Sequence, residues 1–260
     1  MADRIIEEKG VVIRHGVINL LEHWLMAASG IVLIVSGLFQ MPLPRRYYIT
    51  DMPGMAWSGD FMFTLKIHYI ASIVFVAVAI FHIVYHGILR HWAMLPKRGD
   101  VKESIDVVKT FFGKGEEPPF HKYLPEQRIA YAGMAFIIAV LIISGIVKTY
   151  KNIYDPQMTF ALVSWATWLH NIFAVFFILA FIVHVVAILL KPNLPMLRGI
   201  FLGTVRLDYA EKRHPLWIDD IRSKTLPEME EEIVPEESAN PVNVENEDGI
   251  DKASDGKEDA

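Results

Sequence analysis

The chain contains no cysteine in 260 residues. Disulfides, thiolate-ligated iron–sulfur clusters, zinc fingers and covalent C-x-x-C-H haem attachment are therefore excluded. It also lacks the pattern of a secretory leader. The first 15 residues carry Asp3, Arg4, Glu7, Glu8, Lys9 and Arg14 without an apolar core, so the apolar run that follows is expected to stay in the membrane. No nucleotide-binding loop is present either.

What the chain has in quantity is apolar sequence, 53% hydrophobic residues with positive mean hydropathy. Four runs, roughly 17–39, 66–89, 128–147 and 162–190, are long enough to cross a hydrocarbon layer of about 30 Å. The expected fold is an all-α membrane protein, a four-helix transmembrane bundle. Lys and Arg concentrate before the first span, between the second and third, and after the fourth. The positive-inside rule then puts the N and C termini in the cytoplasm. Residues 101–112 read as an amphipathic surface helix, and the aromatic-, Pro- and Gly-rich stretch 41–60 as an ordered extracytoplasmic cap. Trp24, Trp57, Trp92, Trp165 and Trp168 fall near the expected interfaces, as belt residues do.

Charge divides the chain again. From Leu226 to Ala260 there are 13 acidic residues against Lys252 and Lys257, a balance of −11; the whole chain is −5, so the preceding 225 residues carry +6. Residues 1–225 are read as the membrane domain and 226–260 as an acidic disordered tail. A mild positive excess suits anionic headgroups of a lipid bilayer, and nothing suggests nucleic acid.

Histidine carries the chemistry. His68 and His82 lie 14 residues apart in the second span, and His170 and His184 have the same spacing in the fourth. Fourteen residues fall 40° short of four turns, so each pair shares a face, with about 21 Å between its members along the axis. Imidazole inside a membrane segment is rare and functional by default. By depth, His68 and His170 pair near the outer face. Near the inner face His184 has two possible partners, His23 or His82. Histidines at two matching depths suit two noncovalent haems ligated on both sides, which transfer electrons and leave no position open to oxygen or substrate. Gly30, Gly37, Gly133 and Gly145 remove side-chain volume where a flat macrocycle or a neighbouring helix must fit.

Several stretches then resemble a known family. EHW with Ser36-Gly37 in the first span, IHYIAS opening the second, KYLPEQR before the third with its Ser144-Gly145, WLHNIFAVFFILAFIVH in the fourth and RHPLW after it are similar to the cytochrome b (gamma) subunit of membrane-bound formate dehydrogenases. They are similar also to the b-type cytochromes of nickel–iron hydrogenases and to small b561 proteins. The match covers about 15–220.

The resemblance implies that His23 and His184 ligate the inner haem iron and His68 and His170 the outer one. His82 is then spare, a departure from the pattern and an alternative ligand. It implies a quinone pocket near the inner haem, with Gln127, Glu126 and His86 as its candidate residues. Only Gln127 of that region matches the formate dehydrogenase pattern, since Leu124, Pro125 and Glu126 replace its other residues. It further implies a dihaem b anchor in a bacterial or archaeal cytoplasmic (inner) membrane, taking electrons from an iron–sulfur subunit and a molybdopterin or nickel–iron catalytic subunit and reducing menaquinone or ubiquinone. A standalone b561-like quinol or superoxide electron-transfer cytochrome is the alternative function, and a haem-free anchor a third.

Overall fold

The computed structural model describes residues 3–111 and 118–233. Four long helices dominate it: α1 (Val17–Phe39), α3 (Phe61–Ile88), α5 (Pro125–Ile153) and α6 (Phe160–Leu189). Each is apolar and long enough to cross a membrane. Between and after them run the shorter helices α2 (Leu43–Arg46), α4 (Asp100–Phe111), α7 (Leu197–Leu202), α8 (Leu207–Arg213) and α9 (Pro215–Ile233). The sequence expects an all-α membrane bundle, and that is the architecture found.

Helix α1 coincides with its apolar window, whereas α5 exceeds its own because its polar ends continue the same hydrogen-bond ladder. The third span runs on past its apolar window through Lys148, Tyr150, Lys151 and Asn152 to Ile153. Local signals set the starts. Asp60 caps α3 by accepting the Phe63 N–H at 3.0 Å, and Pro125 opens α5 at a position where its missing N–H costs nothing. Within the spans the backbone satisfies itself, as the bilayer interior demands. The outward faces are apolar, with Ile73, Ile83, Phe160 and Val183 all strongly exposed to what would be lipid.

Helix α1 packs along α3, and α5 along α6; no comparably close packing joins the first pair to the second. The bundle is thus two antiparallel hairpins that meet chiefly through side chains.

One end of the bundle carries a small sheet that the apolar pattern does not anticipate. Strands β1 (Arg4–Ile6), β2 (Val11–Ile13) and β3 (Thr204–Arg206) form an antiparallel ladder in which Val12 faces Val205. The segments before the first span and after the fourth are therefore hydrogen-bonded together at one end. Gly203 makes the turn into β3 with φ +75°, where a Cβ would lie 2.5 Å from the His15 carbonyl oxygen; only glycine fits. Behind the sheet, Val12, Val205, Ala210, Trp217, Ile218 and Ile221 form a buried cluster. Fully burying one such side chain contributes about 2 kcal/mol, which this end needs because no bilayer covers it.

The same end holds the KYLPEQR and RHPLW stretches against each other. The Arg14 guanidinium donates to the Lys122 carbonyl and lies over the rings of Tyr123 and Trp217. Asp3 accepts from Lys122 and from the Trp217 indole. His214 Nδ1 donates to the His121 carbonyl at 2.7 Å. The amphipathic helix expected at 101–112 is α4, which buries Val107 against Phe120 and Leu124; residue 112 lies outside the described residues. At its start the Asp100 carboxylate is gripped by Arg128 of α5 through two hydrogen bonds, at 2.5 and 2.8 Å.

At the opposite end, residues 40–60 form an ordered cap around α2 and two short turns, Ile49–Asp51 and Ala56–Gly59, with Ser58 and Thr64 wholly buried. Two compact units divide the chain, residues 1–221 and 222–260. In the second, α9 continues to Ile233; the rest of the acidic segment, 234–260, lies outside the described residues.

Candidate functional site

The four spans bring the sequence-selected histidines together at two levels. Nearer the cap end, His68 of α3 and His170 of α6 face one another with ring centres 6.3 Å apart. Nearer the sheet end, His23 of α1 and His184 of α6 stand 6.4 Å apart. These separations are too wide for stacking. They do suit a metal between the rings, since a metal–imidazole bond of about 2 Å plus about 1 Å from nitrogen to ring centre, on each side, gives about 6 Å. Both pairs therefore have the separation at which two imidazoles could hold a haem iron.

The cap-end pair is held by a device that the sequence shows only as a repeated dipeptide. Ser36 Oγ donates to the Val32 carbonyl at 2.7 Å and accepts from His68 Nδ1 at 2.9 Å. Ser144 Oγ donates to the Val140 carbonyl at 2.6 Å and accepts from His170 Nδ1 at 3.1 Å. Each hydroxyl proton is already committed to the helix, so each imidazole must carry its own proton on Nδ1. That leaves Nε2 with a lone pair free for iron, the role an outer hydrogen-bond partner plays for a ligating histidine. The adjoining glycines complete the arrangement. A Cβ at Gly37 would lie 3.4 Å from His68 Cε1, and one at Gly145 3.4 Å from His170 Cε1. A Ser-Gly dipeptide on one helix of each hairpin thus seats the histidine of the other.

The sheet-end pair has no serine. Among the described residues, His23 Nδ1 is buried without a hydrogen-bond partner. Between the levels, Phe75 and Phe177 meet edge-to-face with ring centres 6.1 Å apart. Phe75 lies seven residues from His68, and Phe177 seven from both His170 and His184. A Cβ at Gly30 would touch both rings at 3.4 Å, so that glycine makes room for the aromatic pair. At Gly133 nothing lies within 4 Å of such an atom, and the structure shows no close approach there.

His82 is not opposite His184. Its Nε2 lies 3.0 Å from Tyr131 Oη, and its Nδ1 3.4 Å from Glu22 Oε2. His86 joins the same group, 3.0 Å from Glu22 Oε2 and 3.0 Å from His91 Nδ1. Gln127 closes the start of α5, its carboxamide oxygen accepting the Leu124 N–H at 3.2 Å. Glu126 lies beside it in the first turn. Glu22 and Tyr131 are the site residues that the sequence reading misses. A carboxylate inside an apolar span was the available signal for Glu22.

Four apolar spans bringing imidazoles into opposed pairs at two levels, inclined at 67° and 46° to one another, define an integral-membrane cytochrome. The match of residues 14–203 to the family of prokaryotic cytochrome b561 places the chain in that family. It is a membrane b-type cytochrome of electron transfer, and the family implies haem b as its cofactor. The chain is 23% identical over 221 residues to the cytochrome b556(fdo) subunit of formate dehydrogenase from Escherichia coli strain K12, covering 85% of this chain and 98% of that one. It is 22% identical over 230 residues to the formate dehydrogenase cytochrome b556 subunit of Haemophilus influenzae, covering 87% and 89%.

Proposed function

We infer that this chain is the dihaem b anchor of a respiratory oxidoreductase complex, carrying electrons from an iron–sulfur partner subunit to menaquinone or ubiquinone. The observation that carries this reading is the pair of imidazole couples, at 6.3 and 6.4 Å, stacked along α6. His68 and His170 would hold one haem, His23 and His184 the other. When bound, a b haem with both axial positions filled supplies a one-electron relay and no substrate chemistry. The residues around it orient the ligands (Ser36 and Ser144), allow their close approach (Gly37 and Gly145) and fill the space between levels (Phe75 and Phe177).

The formate dehydrogenase subunits among the relatives support a complex with iron–sulfur and catalytic subunits, the latter of molybdopterin or nickel–iron type. Basic residues gathered at the sheet end support a cytoplasmic location for it, hence both termini inside the inner membrane. The levels are about 21 Å apart by helix rise. Electron movement inward and proton uptake from the cytoplasm would then separate charge against the membrane potential, about 2.3 kcal/mol per charge at 100 mV. Gln127, Glu126 and His86 are the candidate quinone residues at that end.

Pyridine haemochrome analysis of the purified protein should return two haems per chain, extractable by acid acetone; a count of one or none defeats the dihaem reading. Substituting Gln127 and Glu126 together should impair quinone reduction while the donor still reduces both haems. Unchanged quinone reduction in that double variant places the pocket elsewhere.

A further inference from the structure

Beside the sheet-end imidazole pair stands a second polar group that takes no part in it. His82 and His86 are one turn apart on α3, so their rings share a face, with centres 4.5 Å apart. Helix α1 packs along that face and brings Glu22 to both. One ligand-capable atom from each of the three residues lies within 4.8 Å of the others.

Three features of this group point to a cation. The Glu22 side chain is only 9% exposed and, among the described residues, its ion-pair partners are these two histidines alone. Its second oxygen, Oε1, is buried and accepts no hydrogen bond from any described residue. A carboxylate withdrawn from water in an apolar span calls for a full positive partner. Two of the three donor separations, 3.0 and 3.4 Å from Glu22 Oε2, match the edge of about 3.3 Å between neighbouring ligands of a tetrahedral ion with bonds of about 2 Å, and the third lies within 4.8 Å. Finally, the far nitrogen of each imidazole is engaged, His82 Nε2 by Tyr131 and His86 Nδ1 by His91. Such outer partners orient ligating histidines and fix their tautomers.

We propose that Glu22, His82 and His86 form a binding site for one divalent transition-metal ion of the zinc class, separate from any haem iron; His86 then serves the ion, leaving Gln127 and Glu126 to the quinone. Two imidazoles and one carboxylate suit such an ion, whereas calcium and magnesium favour all-oxygen shells and copper(I) favours sulfur. Three protein ligands leave a fourth position for water. The ion ties α1 to α3 at the depth of His23, gives Glu22 its missing counter-charge, and explains why His82 turns towards Glu22 and Tyr131.

The test uses the haem-loaded, chelator-stripped protein dialysed against zinc chloride, with zinc and haem iron counted separately. The wild-type chain should retain one zinc, and its unfolding midpoint should rise on zinc addition. Glu22→Gln and His86→Ala should each abolish stoichiometric retention, and Tyr131→Phe should weaken it by about 10- to 100-fold. Zinc-edge X-ray absorption of the wild type should show nitrogen and oxygen at about 2.0 Å with imidazole scattering. A wild type that retains no zinc overturns the proposal, leaving Glu22 as a hydrogen-bond acceptor for two histidines. So does retention unchanged by Glu22→Gln, or a spectrum without imidazole. Should a variant lose haem as well, the wild-type absorption spectrum decides alone. Haem loss with zinc retained counts against the dihaem reading and not against this site.

Discussion

The two imidazole levels are built on different principles. At the cap end, each histidine is gripped by a serine whose own proton is spent on its helix, and each approaches a glycine on the neighbouring helix. At the sheet end there is no such grip: His23 Nδ1 has no described partner, and the residue before it, Glu22, is drawn to His82 and His86 of α3. The first level is a seat made by serine and glycine contacts from the neighbouring helix. The second is bound up with a polar network and with a folded cap of buried ion pairs.

Removing a ligand should give the largest effect. His170→Ala should eliminate the haem of the cap-end level alone, and His184→Ala that of the sheet-end level alone, each reducing the haem count by one. Loss of both haems in either variant would mean that the levels do not assemble independently.

Next in size is the ion pair under the sheet-end level. Asp100 is 2% exposed, and its bonds to Arg128 hold the carboxyl well below its usual range, at about 2. Asp100→Ala leaves a buried guanidinium uncompensated and should destabilise the protein by about 3–5 kcal/mol, measurable as a lowered unfolding midpoint. The spectrum of the sheet-end haem should broaden before that of the cap-end haem. Equal disturbance of both would break the distinction drawn between the levels.

Much of this organisation is legible in the sequence. The apolar runs, the 14-residue histidine spacing and the uneven basic residues specify four spans and two depths because helix periodicity and bilayer thickness leave few alternatives. The partner of His184 is not legible that way, since periodicity fixes the face of a helix but not its neighbour; the resemblance names His23, and the structure sets His23 opposite. The strands are too short to show an alternating pattern, and although β1 and β2 pair locally, the pairing of β2 with β3 joins Val12 to Val205, far apart in the chain. The RHPLW and KYLPEQR stretches read as family markers in the sequence, and in three dimensions they lock one cap through Arg14, Tyr123, His214 and Trp217. The Ser-Gly dipeptides read likewise, and their meaning appears only when each is seen beneath a histidine.

Acid gives a smaller, graded probe of the same contrast. Burial, reinforced by Arg14 and Arg213 against the opposing bond to His121, holds His214 down at about 4; burial and then the charges of Arg14 and Lys122 hold His15 at about 3. Both bind protons more readily when unfolded, with an ordinary value of 6.5. Their contribution is therefore complete above pH 6.5 and declines as pH falls towards 4. For His214 the full loss is about 3 kcal/mol. Hydrogen exchange at pH 7, 5 and 4 should show the sheet-end segments opening first. His214→Asn should flatten that pH dependence; an unaltered profile would assign the acid response to other groups.

The smallest expected effect sharpens the comparison from the other side. Ser36→Ala or Ser144→Ala deletes the neutral hydrogen bond to the imidazole, about 1 kcal/mol, together with the hydroxyl's bond to its own helix. Both haems should remain, while the electron-paramagnetic signal and potential of the cap-end haem alone shift. A shift at the sheet-end haem instead would show that the serines do not act through His68 and His170.

The central claim is the assignment of ligands at the level without serines, and it is tested most directly by counting haems in His23→Ala beside His82→Ala. The account expects one haem per chain in His23→Ala, with the sheet-end spectrum missing, and two in His82→Ala. Two haems in His23→Ala and one in His82→Ala would contradict it, placing both irons between α3 and α6.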